Sequence, residues 1–580
     1  MAKSIFRVIV WLTLFTALAA NIFPVYAQFH PQVPHFDHIV IIIQENRTPD
    51  TLFGDGPAAD PQPPATAICA GQNGWASNID LQNGGPNNYT SGTGITHMGC
   101  SGLTQLTRLQ FGGASHTNLD WKGQYDHGLM DGACNPTDSG VTCGQSTSPV
   151  NPPYIYVQKG TTASPGVVLP YFQIAQSYGW ANYMFQTNEG PSYPAHQFLL
   201  SGTSAPVWPT EMYADYFVAG NAGIETSGCT QPGSTLQWID PTGTITTPGA
   251  LGANIYECYG RNTLVTTQNS AGVVSDRIDK NGTPVTWRYY AQAPGIIWDA
   301  PESDPQICYG LDAAPTGNPA CSGTEYSHVI FPGTGTGQSA PILTDIQNCN
   351  LQEISWVTPD EAWSDHPGED PASLGPSWVA DIVDAIGQSR TNSGGACDYW
   401  QASPTAIFIV WDDWGGFYDH VPPPAVYTGT GTSPSFICTA PHGWGCGNVY
   451  GFRVPLLVVS PYTRAGTVSG PISTWPATYP PPACWTHDFG SILAFTEQNF
   501  YLPGSRKIAP PGYTYADSNT LDSFCDGRPV VPLWEFFNEE FRAFTPITAQ
   551  YSASYFENYY NTPAADGTLH TPTGPDDDEP

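Results

Sequence analysis

The sequence predicts an α/β protein built on a central, largely parallel sheet, and three observations predict it. His38-Ile39-Val40-Ile41-Ile42-Ile43-Gln44 places five β-branched residues in a row with no charge among them, the pattern of a strand buried on both faces. Thr405-Ala406-Ile407-Phe408-Ile409-Val410-Trp411 repeats that pattern far along the chain. Between and after these runs, segments of helical spacing alternate with further short apolar runs, as a βα-type sheet with helices on both faces requires.

Taken in order, the first 27 residues read as a signal peptide. Lys3 and Arg7 precede an apolar run from Val8 to Ala20, and Val25-Tyr26-Ala27 is a small-x-small cleavage site. The mature chain therefore begins near Gln28, with one large domain over 28–545. Residues 55–115, rich in Gly, Pro and Asn, form a long irregular insertion. Leu169 to Trp180 has helical spacing, the turn Asn188 to Pro194 follows, and a helix restarts over Ala195 to Leu200. Residues 205–275 carry short Gly/Thr-rich strands and form a second, β-rich insertion. Val285 to Tyr290 and Ile354 to Thr358 read as strands, Trp378 to Ile386 as an amphipathic helix, Val454 to Val459 as a buried strand and Ser491 to Phe500 as a helix. Residues 546–580 are a C-terminal extension ending in the acidic run Asp576-Asp577-Asp578-Glu579.

Composition narrows the classes of function. Fifty acidic against 17 basic residues give a net charge of −33, which repels nucleic acid and anionic membrane surfaces. No stretch of the mature chain has the about 20 apolar residues a membrane span needs. The expected compartment is secreted or periplasmic. Fourteen cysteines in an exported chain argue for disulfides, with Cys134/Cys143, Cys308/Cys321 and Cys438/Cys446 close enough in sequence to staple local loops. No CxxC occurs, so thiolate zinc and thioredoxin-type chemistry lack their signature. Few lysines and many neutral polar residues also suit an acidic medium.

Chemistry gathers where the strands end. Glu45-Asn46 follows the first buried run and Asp412-Asp413 follows the second. Ligands collect at the carboxyl ends of strands in open α/β sheets, and three carboxylates with one amide make a hard-cation site suited to Ca, Mg or Mn. Read singly, each pair is also an ordinary polar turn. Ser192 lies in the turn Gly190-Pro191-Ser192-Tyr193-Pro194, which lacks the last glycine of a lipase-type elbow. It can act as a nucleophile presented at a helix start, although a helix N-cap is the commoner use of such a serine. His116, His366 and His420 fall in loops near these elements and can serve as proton donors or phosphate clamps.

Taken together, these elements resemble the bacterial phosphoesterases that include acid phosphatases and phospholipases C. Glu45-Asn46-Arg47-Thr48-Pro49-Asp50 is similar to their E-N-R-S-F-D opening, and Met130-Asp131-Gly132 to their G-K-M-D-G element. Gly190 to Pro194, continuing to Thr203, resembles their nucleophile turn, and Asp365-His366-Pro367 a histidine-proline element. Trp411 to Pro424 is similar to D-E-x-G-G-F-x-D-H-V-P-P. The elements occur in the family's order over roughly residues 36–500. The resemblance implies an alkaline-phosphatase-like α/β/α sandwich with a central, largely parallel sheet and long disulfide-stapled insertions. It implies one divalent metal ion held by Glu45, Asn46, Asp412 and Asp413, with Ser192 attacking phosphorus to form a phosphoserine. His116 and His366 would bind phosphoryl oxygens or protonate the leaving group, with His420 assisting or orienting Asp412.

Two departures bear on substrate. Serine at 192 matches the acid phosphatase branch of that family, whereas its phospholipases C typically carry threonine there. Asp488-Phe489-Gly490-Ser491 resembles D-H-T-S with phenylalanine at the histidine position, leaving His487 as the only adjacent substitute. The expectation is an exported metal-dependent phosphatase acting on phosphomonoesters, with a phospholipase C-type phosphodiesterase as the alternative. The partner is then a small phosphorylated substrate or a phospholipid head group, with neither nucleic acid nor stable membrane insertion. A non-catalytic exported binding protein using the aromatic loops is the reading from another class.

Overall fold

A computed structural model describes residues 33–53, 164–204, 281–311, 315–367, 373–419, 450–469, 485–502 and 531–572 almost continuously, with shorter pieces between them. Residues 1–27, expected as a signal peptide, Met130-Asp131-Gly132, His420, the pairs Cys134/Cys143 and Cys438/Cys446, and the acidic run 576–579 lie outside the described residues.

Among the described residues, eight strands form the central sheet. In chain order they are β1 (His38–Gln44), β2 (Gly179–Ala181), β3 (Trp287–Tyr290), β4 (Val329–Ile330), β5 (Ile354–Val357), β6 (Thr405–Trp411), β7 (Leu456–Val459) and β8 (Thr467–Ser469). Their spatial order is β4-β3-β5-β1-β6-β7-β2-β8. All neighbours pair in parallel except across β7, which runs antiparallel to both β6 and β2. The two longest apolar runs thus lie side by side at the centre. Ile39 to Ile43 are all fully buried, and each such side chain contributes about 1.5–3 kcal/mol on leaving water.

Helices cover both faces. They include α1 (Pro49–Phe53), α2 (Asn118–Tyr125), α3 (Leu169–Ser177), α4 (Ser192–Ser201), α5 (Gly375–Gly387) and α6 (Phe489–Asn499). Helix α3 packs on α5, and α4 packs on α6. Strand β6 shows that the pairs lie on opposite sides. Trp411 meets Tyr171 of α3 and Phe408 meets Phe495 of α6, and residues three apart on a strand point to opposite faces. The result is a helix–sheet–helix sandwich of alkaline-phosphatase-like α/β type.

Local chemistry sets several boundaries. Helix α3 stops at Ser177 because β2 begins two residues later. Asp488 starts α6 through a capping box with Ser491, which places Phe489 inside the helix. Three disulfides tie the described loops, Cys229–Cys258, Cys308–Cys321 and Cys349–Cys397. The second is one of the local pairs expected from sequence. The described part of the 205–275 region is a three-stranded antiparallel sheet of two-residue strands and the hairpin Thr266–Gln268/Val274–Asp276.

Candidate active site and metal centre

The site grows out of the register between β1 and β6. Gln44 pairs with Trp411, so Glu45-Asn46 and Asp412-Asp413 leave the sheet together at its carboxyl edge. The Asp412 amide donates to the Gln44 carbonyl at 2.9 Å. The Asn46 and Asp413 amides both donate to Asp412 Oδ1, at 2.9 and 2.7 Å. Asp412 Oδ1 is thereby committed to backbone. Its other oxygen, Oδ2, is buried and accepts no hydrogen bond among the described residues. An orphaned carboxylate oxygen in a dry site calls for a cation.

Asn46 sits in the left-handed region at φ +56°, and Gly415 turns the second loop at φ +60°. Asparagine tolerates that conformation through its short polar side chain. Gly415 is required for a second reason, because a Cβ there would stand 2.6 Å from Asn46 Cβ and 2.7 Å from its carbonyl oxygen. The two ligand turns are pressed together by a missing side chain.

Ser192 is the first residue of α4, with Pro191 at the N-cap position and no side-chain cap. The N-cap use of this serine is therefore excluded, and the helix begins three residues earlier than the sequence predicts. Its hydroxyl donates to Asp413 Oδ2 at 3.1 Å, with Glu45 Oε2 and Asn46 Oδ1 each at 3.5 Å. The positive end of the α4 dipole faces the same space, which favours negative charge there.

His196, one turn along α4, is a residue that sequence reasoning missed. Its Nε2 lies 3.2 Å from Glu45 Oε1 and 3.9 Å from Asp412 Oδ2, and Glu45, His196 and Asp412 form a buried group with ligand atoms within 4.8 Å of one another. Tyr289 donates its hydroxyl to the Trp298 carbonyl at 2.8 Å and stands 3.4 Å from His196 Nδ1. With that proton spent, Tyr289 can accept from the Nδ1 side of the ring, and Nε2 is the nitrogen that faces the carboxylates. A ring nitrogen and carboxylate oxygens converging on one point suit a cation. The four-residue spacing from Ser192 on one helix face was the available signal.

The histidines expected from sequence divide. His116 accepts at Nε2 from Asn46 Nδ2 at 3.2 Å and lies 4.0 Å from Asp413 Oδ2. Its segment is fixed by α2, where Gln124 donates to the Gly416 carbonyl and accepts from Trp414 Nε1, each at 3.1 Å. His366 is brought in by Gln44, whose side chain accepts from the Asp365 amide at 2.8 Å and donates to the Trp363 carbonyl. The His366 ring lies 6.4 Å from that of His116 and 6.3 Å from Trp298, centroid to centroid. Asp365 accepts from Tyr171 and Trp411 at 2.8 and 3.0 Å. Burial pushes it up to about 6, against the pull of Arg47. The four expected ligands, Ser192, His116 and His366 are thus brought to one place. His487 is not, because it is held by Ser469 at 2.8 Å and Glu535 at 2.9 Å.

Beneath the site lies a buried ionic support. Arg453 makes hydrogen bonds of 3.0 and 3.1 Å from Nε to both Asp419 oxygens, and reaches Asp50 at 3.1 Å and Asn182 at 2.9 Å. It ties the loop that follows Asp413 to α1 and to the segment after β2.

The chain is 37% identical over 188 residues to phospholipase C B of Mycobacterium tuberculosis, covering 31% of each chain. It is 32% identical over 186 residues to a non-hemolytic phospholipase C of Burkholderia pseudomallei, covering 29% of this chain and 22% of that one. A longer match, 21% identical over 468 residues, joins it to the hemolytic phospholipase C of Pseudomonas aeruginosa, covering 80% and 52% respectively. The chain therefore spans well under two thirds of the length of these relatives. Residues 36–503 match the phosphoesterase family throughout, and the chain belongs to that family.

Proposed function

We propose that the protein is an exported, metal-dependent hydrolase of phosphoric esters acting through a phosphoserine, with a phospholipid as substrate in the manner of phospholipase C. The observation that carries the chemistry is Ser192 Oγ set among Asp413, Glu45 and Asn46 oxygens at 3.1–3.5 Å. The relatives' names carry the substrate class, and they favour the diesterase over the phosphomonoesterase expected from sequence. Three disulfides fit an oxidising compartment outside the cytoplasm. No helix among the described residues is long and apolar enough to cross a membrane.

Glu45, Asn46, Asp412 and Asp413 would hold the cation, with His196 as a nitrogen donor. When bound, the cation neutralises the crowded carboxylates, favours the ionised form of the serine hydroxyl and offsets phosphoryl charge. Ser192, its hydroxyl proton lost to solvent, then attacks phosphorus, forming the serine–phosphate bond as the bond to the alcohol leaving group breaks. His116 or His366 gives the leaving oxygen its proton, and water later cleaves the phosphoserine with the same histidine receiving a proton. The α4 amides and the histidines stabilise charge spread over the phosphoryl oxygens.

A phosphomonoester substrate remains the second reading, and one observation favours it. Phe489 is buried in the core and His487 is engaged elsewhere, so neither supplies an acid near Asp488. Phosphatidylcholine vesicles and p-nitrophenyl phosphate, each offered with and without chelator, separate the readings. Chelator-sensitive release of diacylglycerol supports the diesterase. Turnover of the monoester alone overturns it.

A further inference from the structure

A second cluster of metal-ligating side chains lies away from the candidate active site. Asp276, Glu325 and His328 each offer a ligand atom within 4.8 Å of the others. Their place in the fold is opposite the first. Strands β3 and β4 run parallel to β1 through β5. His328 immediately precedes β4 and Trp287 opens β3, so the cluster sits at the amino edge of the sheet, whereas Glu45 and Asp412 follow its carboxyl edge.

The local structure prepares these three residues as donors. Glu325 and His328 are the first and last residues of a 3-10 turn, Glu325–His328. With three residues per turn, side chains at i and i+3 eclipse, so both project from one face. Asp276 ends the hairpin strand Val274–Asp276. The Trp287 indole orients two of the three, since its Nε1 donates to Asp276 Oδ1 at 3.2 Å and its ring packs on His328 at 4.7 Å between centroids. The packing fixes the plane of the imidazole, and a ring held in this way is positioned to offer a nitrogen to a cation.

A polar side chain without its partner points to a ligand. Glu325 is 9% exposed, and its Oε2 accepts no hydrogen bond among the described residues. Carboxylate oxygens of Glu325 and Asp276 lie within 4.8 Å of each other, and two like charges that close are relieved by a cation between them. The nearby guanidinium does not compensate the pair, because Arg288 is turned to Asp345.

We propose that Asp276, Glu325 and His328 form a second divalent-cation site, structural rather than catalytic, that pins the 274–276 hairpin strand to the edge of the sheet. One nitrogen and two carboxylates suit Zn²⁺ or a similar first-row ion, and the partial exposure of Asp276 and His328 leaves room for water to complete the coordination.

The test counts ions on the whole mature protein, stripped with chelator and reloaded with Zn²⁺ alone. Glu325→Gln and His328→Ala are expected to bind one ion fewer per chain than the wild type, while phosphoester turnover at saturating metal stays within about twofold. Equal ion counts in wild type and variants overturn the proposal. Should either variant fail to fold, Asp412→Asn gives an independent reading from the other site. It is expected to retain one Zn²⁺ per chain, and retention of none overturns the proposal.

Discussion

Ser192 Oγ and Asp413 Oδ2 lie 3.1 Å apart although 221 residues separate them in the chain. The contact is made by two independent scaffolds, the start of α4 and the end of β6. A hydroxyl so close to several carboxylates is a poor nucleophile until a cation takes up their charge. Ser192→Ala is therefore expected to lower turnover by at least about 10³-fold while leaving the number of bound ions unchanged. Residual activity near that of the wild type would remove Ser192 from the mechanism.

His196 distinguishes a pure oxygen site from a mixed one. With Nε2 3.2 Å from Glu45 Oε1, it adds an imidazole to a set that the sequence presented as carboxylates and an amide. Imidazole shifts preference from Ca²⁺ toward Mn²⁺ or Zn²⁺. His196→Ala is expected to weaken Mn²⁺ binding by about 10–100-fold and Ca²⁺ binding much less. A titration showing equal losses for both ions rules out a nitrogen ligand and leaves His196 as packing against Trp298.

What was legible in the sequence is what short-range pattern encodes. Ile39–Ile43 and Thr405–Trp411 announce buried strands by composition, and their parallel pairing then brings Glu45-Asn46 beside Asp412-Asp413. Direction was not legible for β7, since a strand buried on both faces carries the same residues whether it runs up or down. Nor was His196, because the helix was expected to start at Ala195, which hid its shared face with Ser192. The support around Arg453 depends on Asp50, Asn182 and Asp419, residues hundreds of positions apart that carry no common local signal. Their contact exists only once the sheet is assembled.

Gly415 is the position where a single methyl group should be felt at the metal. Its φ of +60° already disfavours alanine, and a Cβ would meet Asn46 at 2.6 Å. Asn46 has little room to yield, since its amide is bonded to Asp412 and its side chain to His116. Gly415→Ala is expected to destabilise the fold by about 1–3 kcal/mol and to weaken metal binding together with it. Thermal unfolding and a metal titration check both, and an unchanged Tm with unchanged affinity contradicts the close approach.

Arg453 is fully buried between Asp50 and Asp419, and those two carboxylates hold its guanidinium firmly protonated. Breaking a buried ion pair by removing one member costs about 3–5 kcal/mol, because the remaining charges stay buried and uncompensated. Lysine cannot reproduce the two-pronged contact to Asp419. Arg453→Lys is expected to lower Tm nearly as far as Arg453→Met, and denaturant unfolding of the two variants tests this. A lysine variant as stable as the wild type shows that charge alone is sufficient there.

Asp381 gives stability a defined dependence on pH. It lies on α5 with Asp384, lining a cleft of about 230 Å³ that Glu557 closes from the other side. Its Oδ2 accepts no hydrogen bond among the described residues. Burial, reinforced by Asp384 and Glu557, raises it from 3.8 to about 8. Burial also raises Asp384 to about 6, although the Ile547 amide donates to it at 2.9 Å. Between the unfolded and folded values the native chain holds a proton that the unfolded chain has lost, so the unfolded state binds fewer protons and stability falls as pH rises. Below about 4 both states are protonated and no penalty exists, whereas above about 8 both are ionised and the whole penalty is felt. Its size is on the order of 2–5 kcal/mol for Asp381. The wild type is expected to show a higher Tm at about pH 5 than at about pH 8, and Asp381→Asn to flatten that difference by raising Tm at the alkaline end. Parallel Tm–pH curves for the two proteins would place the ionisation of Asp381 outside the stability of this fold.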